Sequence, residues 1–210
     1  MESYIYVIFS ATPYRMGRFI RSITSAKYNH VSIALDEQFT QMYSFSRRYY
    51  RTPLYGGFVK ESLSRFYVKG KQTHIHVFKI PTTQEKRNAI AKRLKAMLAQ
   101  KDKYLYNHLS VLLTPIKRQV KIPDAYVCVE FCVDILQQAG IDVRMDKYYS
   151  LSELEQVLSP YSAYTGLMPQ TDEYDQNYYS KKPMRHPTLT TSASIAVLFK
   201  RLLADRKQRR

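Results

Sequence analysis

The sequence predicts a mixed fold, strand-rich at the start and helix-rich afterwards, on three observations. Segments in the first 80 residues are either rich in β-branched and aromatic side chains or alternate between apolar and polar positions. From residue 82 onward the apolar residues return at helical spacing. Proline, glycine and small polar residues fall between these segments, where turns belong.

Taken in order, Ser3 to Ser10 (SYIYVIFS) reads as a buried strand stopping before Pro13, and Met16 to Ile23 as a short helix carrying Arg18 and Arg21. His30 to Asp36 (HVSIALD) alternates, with Val31, Ile33 and Leu35 on one face and His30, Ser32 and Ala34 on the other. A turn at Asp36 to Gln38 then returns the chain as a strand over Phe39 to Phe45, making a hairpin whose first strand begins with a histidine. Ser46 to Gly57 is a basic loop, and Gly56-Gly57 precede a short extended piece. Thr73 to Ile80 is a further strand, ended by Pro81. Thr82 to Gln100 is a helix: Thr82 and Glu85 stand at capping-box spacing, and Ile90, Leu94, Met97 and Leu98 form its apolar stripe. Tyr104 to Leu113 predicts another short helix, stopping near Pro115. Asp124 to Gly140 predicts a helix with Cys128, Phe131, Cys132, Ile135 and Leu136 on one face, Asp124 as cap and Gly140 as stop. Ser150 to Leu158 is a short helix capped by Ser150 or Ser152. Tyr161 to Pro183 shows no periodicity and reads as an extended segment wrapping the body. Thr191 to Arg206 closes the chain as a basic amphipathic helix with Ile195, Leu198, Leu202 and Leu203 along one side. The organisation is therefore a body over 1–160, an extended segment over 161–189 and a basic helix over 190–210.

Composition narrows the functional classes. With 45% hydrophobic and 24% charged residues, a wholly disordered or collagen-like chain is excluded. The apolar runs fall short of the roughly 20 residues a membrane span needs. Two cysteines cannot staple a secreted scaffold and suit a reducing compartment, and Glu2 with no small-residue cleavage site argues against a signal peptide, so a cytoplasmic location is expected. The net charge is +16, and nine basic residues stand against Asp205 alone in 180–210, so half the excess lies in the tail. Such a tail attracts nucleic acid, anionic lipid or counter-ions.

Chemistry concentrates on Cys128. It falls in the first turn of its helix, where unpaired N–H groups and the macrodipole stabilise a thiolate. A thiolate beside a histidine is the minimum machinery for nucleophilic acyl transfer, with the Cys128 N–H and neighbouring donors available to the oxyanion. Cys132, one turn later, lacks the dipole position and is expected to be a buried core residue. Among five histidines His30 leads, because it starts a strand on the less apolar face. His74 and His76 share a face and could pair on a metal, but no further ligand motif accompanies them, so no metal or cofactor is expected. His108 and His186 read as surface or helix-end residues. For the group that orients the base, Ser44 shares the His30 side of the hairpin, and Glu61 is the nearest carboxylate able to fold back. The bland alternative for both leading residues is a core cysteine and a structural histidine.

YNHVSIALDEQFTQMYSFSRR (28–48), GGFVKE (56–61) and YVCVEFCVDILQQAGI (126–141) resemble the circularly permuted branch of the NlpC/P60 papain-like superfamily, which includes YiiX/YebB-like and lecithin retinol acyltransferase-like proteins. The family's aromatic-x-Cys-Ser-Glu-Phe pattern is matched by Tyr126, Cys128, Glu130 and Phe131, with Val129 in place of the serine. The His-x-Ser of its hairpin is matched by His30 and Ser32. Over roughly residues 3 to 160 the resemblance implies an α+β fold in which a small antiparallel sheet or half-barrel packs on the Cys-bearing helix, in permuted papain-like order. It implies a catalytic domain over 1–160, with Cys128 as nucleophile, His30 as base and acid, and a third polar residue that Ser44 matches poorly.

Two functions follow as expectations. The first is a cysteine hydrolase or acyltransferase acting on a small peptide, amide or acyl substrate through an acyl-enzyme. The second is a catalytically degenerate scaffold serving as a basic module that binds anionic membrane or nucleic acid through its tail.

Overall fold

The computed structural model describes residues 2–12, 26–52, 54–67, 70–180 and 187–208, without side-chain detail for 187–190, 206 and 208. The helix expected over Met16 to Ile23 lies outside the described residues, as does His186. The strands are β1 (Glu2–Ala11), β2 (His30–Ala34), β3 (Met42–Arg47), β4 (Gly56–Glu61), β5 (His74–Thr83), β6 (Leu105–Tyr106), β7 (Ala125–Tyr126) and β8 (Ser162–Leu167). The helices are α1 (Gln84–Ala99), α2 (His108–Leu113), α3 (Cys128–Ala139), α4 (Leu151–Val157), α5 (Gln176–Tyr179) and α6 (Pro187–Gln208). The protein is thus mixed α+β, with an eight-stranded sheet in the order β7-β6-β4-β3-β2-β1-β5-β8, antiparallel except for the β6–β7 pair.

Alternation along the strands separates two cores. Ile5, Val7, Phe9, Val31, Ile33, Phe45, Phe58, Phe78 and Ile80 turn one way, onto α1 and α3. Tyr6, Ile8, Ala34, Met42, Ile75 and Val77 turn the other way and meet Phe39, Phe66 and Met168. β1 is central and covered on both faces, which is why its sequence is a continuous apolar run. From α1 come Ile90, Leu94 and Met97; from α3 come Phe131, Cys132, Ile135 and Leu136, each fully buried. Truncating Phe131, which packs on Phe45 and Phe58 at ring separations of 5.3 and 5.5 Å, would cost about 3–5 kcal/mol.

Several boundaries differ from expectation for local reasons. β5 runs through Pro81 to Thr83, so α1 is capped by Thr83, whose hydroxyl accepts from Lys86 N at 3.2 Å. Thr82 is still in the strand and donates to the Ala139 carbonyl at 3.0 Å. α3 begins at Cys128 rather than near Asp124; Asp124 sits in a turn at φ 56° and pairs with Lys103 at 3.3 Å. Gly140, at φ 101°, ends α3 in the left-handed conformation glycine tolerates. Ser150 caps α4, exchanging bonds with Glu153. Leu105–Tyr106 is a short strand, so the expected helix over Tyr104 to Leu113 is confined to α2.

Part of the segment expected to wrap the body is strand β8, paired on β5. α6 is docked: Leu198 is fully buried in a cluster with Leu105, Ile122 and Ala125, whereas Leu203, expected on the apolar side, is exposed. No helix among the described residues is long and apolar enough to cross a membrane.

Candidate active site

β2 begins with His30, and alternation places Ser32 on the same face. The β2–β3 and β3–β4 registers carry that face across to Ser44, Ser46 and Glu61. Glu61 is the polar centre of the group. Its Oε1 and Oε2 lie 3.1 and 3.3 Å from His30 Nε2, Ser32 Oγ donates to Oε2 at 2.5 Å, and Ser46 Oγ donates to Oε1 at 3.0 Å. The orienting partner of His30 is therefore Glu61. Ser44, the residue first expected there, is fully buried with a hydroxyl that meets no hydrogen-bond partner. Position on the right face is not enough: a serine side chain is short, whereas the longer glutamate reaches both His30 and the flanking serines.

Cys128 lines the same cavity as His30 and adds to what favours the protonated ring. Burial alone would push the ring's pKa down, but the Glu61 charge and the hydrogen bonds to Cys128 and Glu61 outweigh it and raise it to about 10. Burial likewise opposes ionisation of Glu61, and the charge and hydrogen bond of His30, the Ser32 bond and the nearby Arg65 hold its carboxyl down at about 2. At neutral pH the pair is imidazolium and carboxylate. With side-chain exposures of 12% and 4%, neither is screened by bulk water.

Cys128 is the first residue of α3, and its N-cap is Val127, which makes no side-chain cap bond. A serine or aspartate there would take up a first-turn N–H; valine leaves those donors to whatever sits beside the sulfur. The opening of the helix is secured instead by Glu130, whose Oε2 accepts from Val127 N at 2.9 Å. Cys132 is fully buried one turn on, and burial pushes its thiol well up, which keeps it protonated.

All three groups line one cavity of about 970 Å³. Tyr106 and His108, whose rings are 5.1 Å apart, also face it. Burial, with the charge of Cys128, pushes the Tyr106 phenol well up, and burial pushes His108 down, so both are neutral near pH 7. His108 opens α2, the helix-end position expected of it, and from there lines the cavity wall. No pattern in the sequence marks Tyr106 or His108, because the two-residue strand that carries Tyr106 has no periodicity of its own. Arg65, also on the cavity lining, donates to Asp175 at 2.9 Å and lies over the Tyr178 ring at 4.3 Å, tying the α5 segment beside the site.

His76, placed by alternation on one face with His74, is bonded through Nδ1 to Glu155 at 2.9 Å and through Nε2 to Ser162 at 2.8 Å. No group of three or more metal-ligating side chains occurs among the described residues. The chain matches no protein-family model, no curated protein and no solved structure.

Proposed function

We propose that this protein is a cysteine hydrolase of the amidase or peptidase kind, built as a circularly permuted NlpC/P60-like papain relative and working in the cytoplasm. The observation that carries the reading is that Cys128, at a helix N-terminus, lines one cavity with His30, whose Nε2 is held by the buried Glu61 at 3.1 Å. The order along the chain, histidine strand, carboxylate strand, then cysteine helix, supports the permuted arrangement. Two free thiols suit a reducing compartment.

In the reaction, the Cys128 thiolate adds to the substrate carbonyl carbon and the carbonyl electron pair moves to oxygen, which the first-turn N–H groups of α3 receive. The His30 imidazolium gives its proton to the departing amine nitrogen as the C–N bond breaks, leaving a thioester. Neutral His30 then takes a proton from water, whose oxygen attacks the thioester carbon, and the C–S bond breaks to release the acid and restore the thiolate. Glu61 stabilises the imidazolium at both ends of the cycle.

Alkylation by iodoacetamide, mapped by mass spectrometry, tests the assignment. The adduct is expected on Cys128 and not on Cys132, with a rate reduced in His30→Ala. A rate unchanged by His30→Ala would overturn it and favour the degenerate binding module.

A further inference from the structure

Glu61 closes β4, and the chain passes at once into a 3-10 turn, Leu63–Phe66, that carries Arg65. Arg65 lines the cavity with His30, Glu61 and Cys128, yet its side chain is only 10% exposed. A guanidinium stripped of water needs a partner, and this one comes from 110 positions along the chain. Asp175 Oδ2 accepts from Arg65 Nε at 2.9 Å and from Ser62 Oγ at 3.0 Å, and the Tyr178 ring lies 4.3 Å from the guanidinium. Asp175 is itself fixed: its Oδ1 caps α5 by accepting from Tyr178 N at 2.9 Å, and its N–H donates to Ser64 Oγ at 3.2 Å. The Tyr179 hydroxyl donates to the Ser64 carbonyl at 2.9 Å, so α5 is sewn to the very turn that carries Arg65.

Two buried ion pairs therefore stand at one cavity, His30 with Glu61 at 3.1 Å and Arg65 with Asp175 at 2.9 Å. The charges that bear on Glu61 are His30 from β2 and Arg65 from the turn after β4. Behind Arg65 come Asp175 and, 5.6 Å from the Tyr178 ring, Arg47 of β3; Cys128 of α3 shares the cavity. We infer that Arg65 is a positioning residue of this site: it keeps Glu61 charged so that Glu61 can hold His30, and the α5 segment keeps Arg65 in place. This rests on the reading of His30 and Cys128 as acid–base and nucleophile. A protonated Glu61 would carry a donor where Ser32 and Ser46 both donate and the imidazolium needs an acceptor, and the orientation of His30 would be lost.

The test follows the Glu61 carboxyl by carbon-13 NMR on glutamate-labelled protein, assigned with Glu61→Gln, beside the pH profile of iodoacetamide alkylation at Cys128. In the parent that carboxyl titrates at about 2. In Arg65→Met its midpoint is expected to move up toward the ordinary 4.5, each unit removing about tenfold of the ionised form at acid pH, and the acid limb of the Cys128 profile should move up with it. Arg65→Lys, which keeps the charge, should bring both back toward the parent. Asp175→Asn should raise both by less than Arg65→Met, and it carries the reading should Arg65→Met not fold. A midpoint unmoved by Arg65→Met, or raised as far by Arg65→Lys, overturns the inference, and a His30-dependent adduct on Cys128 then leaves the nucleophile standing. A midpoint that falls in Asp175→Asn also overturns it, because Asp175 would then act only as a neighbouring negative charge. If Cys128 does not alkylate selectively but the midpoint answers to Arg65 as expected, the hold of Arg65 on Glu61 stands and the nucleophile fails.

Discussion

Two histidines in this protein are each paired with a glutamate, and they differ in what else surrounds them. His76 takes Glu155 on Nδ1 at 2.9 Å and Ser162 on Nε2 at 2.8 Å, the connectivity of a serine-hydrolase triad. His30 takes Glu61 on Nε2 at 3.1 Å and shares its cavity with the Cys128 thiol. The hydroxyl beside His76 starts an edge strand whose residues are largely exposed, whereas the thiol beside His30 starts a helix and faces a cavity. Glu155 is 24% exposed and Glu61 only 4%, so water screens the first pair far more than the second. A hydrogen-bonded chain of three residues is therefore an insufficient signature. The chemistry also needs donors for the oxyanion, a desolvated charge pair and room for a substrate.

The sharpest way to break this contrast is to remove the two histidines in turn. His30→Ala should lower turnover by about 10²- to 10⁴-fold, the usual worth of a positioned acid and base, while His76→Ala and Ser162→Ala should stay within about twofold of the parent. Steady-state rates on an acyl anilide decide it, and covalent capture of Ser162 by a fluorophosphonate would give the second cluster an activity of its own.

Next in size is Glu61→Gln, which keeps the reach of the side chain and removes its charge. The ring should lose much of the stabilisation that raises it to about 10, so the alkaline limb of the rate profile of Glu61→Gln should move to lower pH. A profile identical to the parent's would deny Glu61 its role.

Stability carries the same signature. Glu61 titrates at about 2 against an ordinary 4.5, so its contribution is whole above pH 4.5 and is lost as pH falls through about 2. His30 titrates at about 10 against an ordinary 6.5, so its contribution is whole below pH 6.5 and is lost as pH rises through about 10. Urea unfolding should therefore show a plateau between pH 4.5 and 6.5 with a decline on each side. Glu61→Gln should flatten both declines, and His76→Ala should leave them in place.

The smallest expected effect is at Ser44. Its buried hydroxyl meets no hydrogen-bond partner, so Ser44→Ala should change stability by less than about 1 kcal/mol, or raise it, and leave turnover unaltered. A large loss of turnover would return Ser44 to the orienting role.

How much of this was legible beforehand depends on the range over which each feature is decided. The helical stripe through Phe131 and Leu136 placed Cys128 near a helix start, and the alternation from Val31 to Leu35 placed His30 on the opposite face to the core residues. These are repeats of a few residues, set by backbone geometry. The choice between Ser44 and Glu61 was not legible, because Glu61 lies 31 residues from His30 and meets it only through the pairing of β2, β3 and β4. Nor was β8, whose polar, exposed residues become a strand by pairing with β5.

What the chain determined by itself is the set of local elements, the thiol near a helix N-terminus, the histidine at a strand start and the apolar stripe of the last helix. Backbone sterics and the burial of every third, fourth or second side chain act within a few residues and leave their pattern in the text of the chain. What only the tertiary structure decided is which carboxylate meets His30, that Tyr106 and His108 wall the site, and that Ile195, 67 positions beyond Cys128, faces the same cavity. Those contacts join distant residues through packing and sheet register, and no local periodicity records them.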